Sequence, residues 1–124
     1  MKILIVDDSR TARLMLKSLI PERENHEFCE AADGKSAIDV FNKENPDITF
    51  MDLTMPVMDG YEALEVIKGN HPGALIIVLS ADIQKKAVER VIQSGAFKFL
   101  KKPPSPSDIV EVMTEISVLL KNRR

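Results

Sequence analysis

Two carboxylates stand side by side in IVDDSR, residues 5–10, directly after the apolar run Ile3-Leu4-Ile5-Val6. Two such charges 4 Å apart repel by roughly 4 kcal/mol at an effective dielectric near 20, so Asp7 and Asp8 call for a positive partner or good solvation. A third carboxylate, Asp52, closes the run DITFMD at 47–52. The hydroxyl of Ser80 closes ALIIVLS at 74–80, and Lys101 and Lys102 close the run that begins at Phe97. Three carboxylates drawn together suit a hard divalent cation such as Mg2+, which takes oxygen ligands and keeps several waters. Each residue alone has a plainer structural reading: an Asp after a strand caps a helix, a Ser forms a turn, a Lys is solvated. Four strand ends all carrying complementary groups is harder to explain that way.

The elements that must position these groups alternate regularly. The first strand spans 2–6, and apolar Ala12, Met15, Leu16 and Leu19 then repeat at helical spacing behind a Ser9 cap, closed by Pro21. EFCEAA at 27–32 is a second strand, with Asp33-Gly34 as a turn signal, and Ala37, Ile38 and Phe41 mark a second helix. DITFMD is the third strand, MPVMDG a loop, and YEALEVIKG a helix with Leu64 and Ile67 inside. ALIIVLS is the fourth strand, followed by a helix with Ala87, Val88, Val91 and Ile92 inward and Gly95 as its C′ residue. FKFLK at 97–101 is the fifth. Ser105, Pro106 and Asp108 then form a capping-box start for a last helix facing inward through Ile109, Val112, Met113, Ile116, Leu119 and Leu120. Five strand-then-helix units with apolar strands predict an α/β fold, an open, doubly wound parallel sheet covered by helices on both faces. An eight-stranded barrel needs about twice the length. In such sheets the site forms at the carboxyl ends of the strands, where Asp7, Asp8, Asp52, Ser80, Lys101 and Lys102 fall.

Composition narrows the class. The 124 residues suit one domain, 1–124, and at 44% hydrophobic and 29% charged they match an ordinary globular chain. With 17 Lys and Arg against 19 Asp and Glu there is no electrostatic footprint for nucleic acid, and the basic end KNRR at 121–124 reads as a complement to a helix dipole. Cys29 is the only cysteine, so no intramolecular disulfide forms and a reducing cytoplasm fits; in EFCEA it reads as a small core residue. No apolar run approaches the length of a membrane span, and MKILIVDDS is too short and too acidic for a signal peptide.

Four motifs at these spacings carry a resemblance: DD after the first strand, DLTMPVMDG after the third, LSA after the fourth and KP after the fifth, with GA at 95–96. Together they resemble the receiver domain of bacterial two-component response regulators over essentially the whole chain, and among these the stand-alone, chemotaxis-type members. The resemblance implies strand order 2-1-3-4-5, flavodoxin-like, with five helices. It implies that Asp52 accepts a phosphoryl group from a sensor histidine kinase. Asp8, Asp52 and the Thr54 carbonyl would ligate Mg2+ directly and Asp7 through water, while Lys102 and Ser80 would hold phosphoryl oxygens. Pro56 and Gly60 would shape the loop after Asp52, Gly60 by allowing backbone angles other residues resist. Phe99 would be either an aromatic switch or plain core, and Lys102-Pro103 would be cis. The family also implies an unidentified downstream partner engaged through the fourth helix, fifth strand and fifth helix, by a monomer that could dimerise on phosphorylation, without nucleic acid or membrane. Departures from the common pattern are Phe99 for Tyr, Ser80 for Thr, Lys101 for an apolar residue and Pro104 for Phe, with Thr54 and Asp82 beside the phosphoryl entry path. The alternatives are a Mg2+-dependent phosphatase with an aspartate nucleophile, which would carry an Asp where Thr54 stands, and a receiver-like adaptor that takes no phosphate.

Overall fold

Register and side-chain alternation are what bring the site together. The protein's structure is a computed structural model describing residues 1–55 and 58–123. Strands β1 (Lys2–Val6), β2 (Glu27–Ala31), β3 (Ile48–Asp52), β4 (Ile76–Ser80) and β5 (Lys98–Lys101) form a parallel sheet in the order β2-β1-β3-β4-β5. The helices are α1 (Arg10–Leu19), α2 (Gly34–Glu44), α3 (Gly60–Asn70), α4 (Lys85–Gln93) and α5 (Pro106–Asn122), with an unanticipated 3-10 turn at Arg23–Asn25. The expected strand order and both expected caps are present. Ser9 accepts from the Ala12 N–H, and Ser105 and Asp108 form a reciprocal capping box behind Pro106.

Strand alternation divides the core in two. Ile3, Ile5, Ile48, Phe50, Ile77 and Leu79 pack with Leu16 and Ile20 of the α1 region and with Ile109, Val112 and Ile116 of α5. Leu4, Val6, Met51, Ile76 and Val78 pack with Phe41 of α2, Leu64 and Ile67 of α3 and Val91 of α4. β3 and β4 are buried along their whole length, as a central parallel strand must be, while the edge strands β2 and β5 are half-buried.

Two positions on the expected apolar helix stripes are corrected, and Phe97 departs from simple strand alternation. Met15 and Ile92 are exposed, because α1 and α4 touch the sheet through narrower stripes, centred on Leu16 and Val91. Phe97 does not share a face with Phe99: it precedes β5, donates its N–H to Ile76, and packs with the α5 cluster, whereas Phe99 packs on the α3–α4 side.

Two glycines matter for different reasons. Gly95 has φ +103° and ends α4 in a Schellman motif, its N–H bonding Ile92 and that of Ala96 bonding Val91. Gly60 corrects the expectation of unusual backbone angles, since among the described glycines positive φ occurs at Gly95. What Gly60 supplies is space: a Cβ there would run into the Asp52 carbonyl oxygen and lie 2.7 Å from Leu53 Cα. Its N–H also donates to the Leu53 carbonyl at 2.9 Å. Gly60→Ala must push α3 away from the end of β3. We expect it to cost about 1–3 kcal/mol, the usual penalty for overpacking, read as a lower urea midpoint at unchanged m-value. Pro56 lies outside the described residues.

Candidate functional site

Asp7, Asp52 and Lys102 continue the alternation of β1, β3 and β5 onto the α1/α5 side of the sheet's carboxyl edge. Ile5, Phe50 and Leu100, each two residues earlier, all pack in that core. The site therefore sits where β1 and β3 adjoin, at the reversal of strand order. One carboxylate oxygen from each of Asp7, Asp8 and Asp52 lies within 4.8 Å of the others. Asp7 and Asp52 are buried and Asp8 is exposed.

The positive partner that the acid pair requires is Lys102. Its Nζ donates to Asp7 Oδ2 at 2.6 Å and lies 3.4 Å from Asp52 Oδ1. Burial pushes the Asp52 carboxyl above its ordinary value; Lys102 opposes this and Asp7 adds to it. For Lys102, burial alone would lower the pKa, but the hydrogen bond to Asp7 and the charge of Asp52 carry it above the ordinary lysine value. Lys101, one residue earlier, is exposed and faces away, and the Lys102-Pro103 peptide is cis.

Asp7 is constrained from four directions. Its N–H donates to Ala31, its Oδ1 accepts from the Ser9 N–H at 2.9 Å, its Oδ2 accepts from Lys102, and its carbonyl accepts from Arg13 at 2.6 Å. Ser80 is buried at the end of β4, one position beyond the Asp52–Leu79 pairing, and its hydroxyl accepts from the Asp82 N–H at 3.1 Å. In this arrangement it forms a turn, as its plainer reading expected. Thr54 is exposed, just past β3. Phe99 is half-buried in the α3–α4 core, paired in register with Val78. The thiol of Cys29 is half-buried, and burial pushes its pKa up, which fits a packing role.

Arg13 and Glu30 escaped the sequence reading, and Gly34 was read only as part of a turn. Arg13 and Glu30 carry opposite charges on different elements, a pairing that no local spacing reveals. A Cβ on Gly34 would lie 2.9 Å from Met58 Cγ, so this residue keeps the start of α2 against the segment after β3 rather than merely making a turn.

Buried carboxylates and an ammonium at the switch point of a 2-1-3-4-5 sheet define a site class that comparison with known proteins identifies. Residues 3–114 match the response regulator receiver domain, and the chain belongs to that family. It is a CheY-like receiver of two-component signalling. It is 40% identical to the chemotaxis protein CheY of Thermotoga maritima, over 94% of this chain and 97% of that one. With CheY of Bacillus subtilis it shares 37% identity over 92% and 95%. Among solved structures, the N-terminal domain of an uncharacterized Wolinella succinogenes protein superposes with TM-score 0.89 at 31% identity, covering 100% of this chain and 99% of that one. CheY in a complex with CheX, BeF3 and Mg2+ from Borrelia burgdorferi superposes at 0.84 with 30% identity, over 93% and 87%. No helix among the described residues is long and apolar enough to cross a membrane.

Proposed function

We propose that this receiver accepts a phosphoryl group on Asp52 from the phosphohistidine of a sensor kinase, and signals in the cytoplasm to a separate partner protein. The observation that carries this reading is the Asp52 carboxylate, buried at the switch point with Lys102 Nζ 3.4 Å away. An Asp52 oxygen attacks phosphorus, the new P–O bond replaces the P–N bond, and the electron pair of that bond stays on the kinase imidazole. A carboxylate needs no proton removed for this, so the work left to the protein is positioning and charge stabilisation. Lys102 is placed to leave Asp7 and hold a phosphoryl oxygen. Ser80 can turn its hydroxyl from Asp82 to another, and Phe99, on the same side of the sheet, relays that movement toward α4.

Three carboxylates whose oxygens converge are a hard donor set that fits Mg2+. Asp8, Asp52 and the Thr54 carbonyl would hold the ion directly and Asp7 through water, and when bound it supplies charge neutralisation for the incoming anion. Slow hydrolysis at Asp52, unaided by a second acid at Thr54, would return the chain to its resting state.

The test is incubation with acetyl phosphate and Mg2+, followed by intact mass and peptide mapping. One phosphoryl group per chain, on the peptide holding Asp52, is the expected result. Modification elsewhere, or none, overturns the assignment. Sustained release of phosphate at enzyme-like rates would instead favour a phosphatase.

A further inference from the structure

The acid pair is held by more than its own side chains. Arg13, on the second turn of α1, is mostly buried and uses its guanidinium as a bridge. Nη1 donates to the Asp7 carbonyl at 2.6 Å, and Nε donates to Glu30 Oε1 at 2.8 Å. Glu30 is fixed in turn by Lys17 Nζ at 3.0 Å on its other oxygen. Both cations hold its carboxyl below the usual range, the Lys17 hydrogen bond most strongly. Glu30 lies on β2 opposite Ile5, one register position before the Val6–Ala31 pair. The bridge therefore joins α1, the end of β1 and the edge strand at one point.

That point is the peptide joining Asp7 to Asp8. Asp7 is fixed through its own amide and carboxylate as well, but Asp8 is exposed, so its direction depends on how this peptide is turned. The Asp7 carbonyl sets that plane, and Arg13 grips the carbonyl. A planar guanidinium can serve two acceptors in fixed directions at once, whereas an ammonium is a point charge on a flexible stem.

We propose that Arg13, anchored by Glu30, is a positioning residue that aims the Asp8 carboxylate at the divalent-cation site and so sets cation affinity. The assignment rests on the acid cluster being that site, as proposed above. Partners that orient metal ligands are typically worth about 10–100-fold in affinity, and here the hold is on the ligand's backbone, so about ten-fold is expected.

The experiment titrates Mg2+ into the full chain by calorimetry and by amide NMR, with thermal melting in parallel. Arg13→Ala should weaken Mg2+ about ten-fold at a temperature where it remains folded, and should shift the Asp8 and Ser9 amide signals before any metal is added. Arg13→Lys keeps the charge but cannot bridge, and should fail to restore affinity. Glu30→Ala should weaken Mg2+ less than Arg13→Ala, and adding it to Arg13→Ala should change little, because both act through one bridge. Wild-type affinity in Arg13→Lys, or additive losses in the double variant, overturns the clamp even if the protein melts earlier. If Arg13→Ala does not fold, the Arg13→Lys and Glu30→Ala comparison decides. Should the wild type itself bind no Mg2+, the cation-site reading fails on its own, and unmoved Asp8 and Ser9 amides in metal-free Arg13→Lys would separately sink the clamp.

Discussion

Asp52→Asn is expected to take no phosphoryl group from acetyl phosphate and, without metal, to melt at a higher temperature than the wild type. The first effect follows from losing the carboxylate proposed as the nucleophile. The second follows from the crowding of Asp7, Asp8 and Asp52. In the folded chain Asp52 is buried beside Asp7 and Asp8, and its pKa lies above the ordinary 3.8. A carboxyl whose folded pKa is raised favours the protonated form, so its ionisation costs the folded state free energy. That cost is absent at pH below the unfolded value, grows as pH rises through the interval up to the raised folded value, and stays constant above it. The amide should therefore gain stability at neutral pH, by about 1–2 kcal/mol once Lys102 has offset part of the repulsion. The gain should shrink as the pH falls through the acid range. Thermal melts from acid to neutral pH check the sign, and a loss of stability at neutral pH would mean that Lys102 more than compensates the carboxylates.

Lys102→Ala should do the opposite. Among the described residues, its ammonium is the cation within 4 Å of both Asp7 and Asp52. Removing it leaves two buried carboxylates uncompensated beside a third. Breaking a fully buried pair costs about 3–5 kcal/mol, and because the Lys102 side chain is 30% exposed a loss of about 1–3 kcal/mol is expected. For a chain of this size that is a fall in Tm of roughly 5–10 °C without metal. The Lys102 pKa is raised above 10.5, so its contribution to wild-type stability is complete at neutral pH and is lost only as pH rises through that folded value. Lys101→Ala, an exposed change one residue away, should stay within about 0.5 kcal/mol. Where Asp52 is still phosphorylated, Lys102→Ala should also weaken the response. The amide shifts that beryllofluoride, a phosphoryl mimic, produces in α4, β5 and α5 should shrink in Lys102→Ala and persist in Lys101→Ala. The reverse pattern would move the β5 register by one residue.

Much of this chain was legible one residue at a time. Apolar runs such as Ile3–Val6 and Ile76–Leu79 have no stable place except a buried strand, and Ser9 and Ser105 announce helix starts because a side-chain oxygen there satisfies an otherwise orphaned N–H. Gly95 was readable as a C′ residue because few other side chains tolerate φ +103°. The strand ends carrying Asp7, Asp8, Asp52, Ser80 and Lys102 followed from the same pattern, since chemistry in an open parallel sheet collects at carboxyl ends. Their convergence did not follow from any local spacing. Only the β1–β3 and β4–β5 registers, together with two-residue alternation, put Asp7, Asp52 and Lys102 on one side and Ser80 and Phe99 on the other. Helix faces were readable in direction but not in width: Met15 and Ile92 fit a helical stripe, and only the neighbours at hand decide that they stay exposed. The close approach behind Gly60 and the Arg13–Glu30 bridge are tertiary in the strictest sense. A missing Cβ matters only when another backbone arrives beside it, and opposite charges on α1 and β2 become partners only once the sheet has brought them within 3 Å.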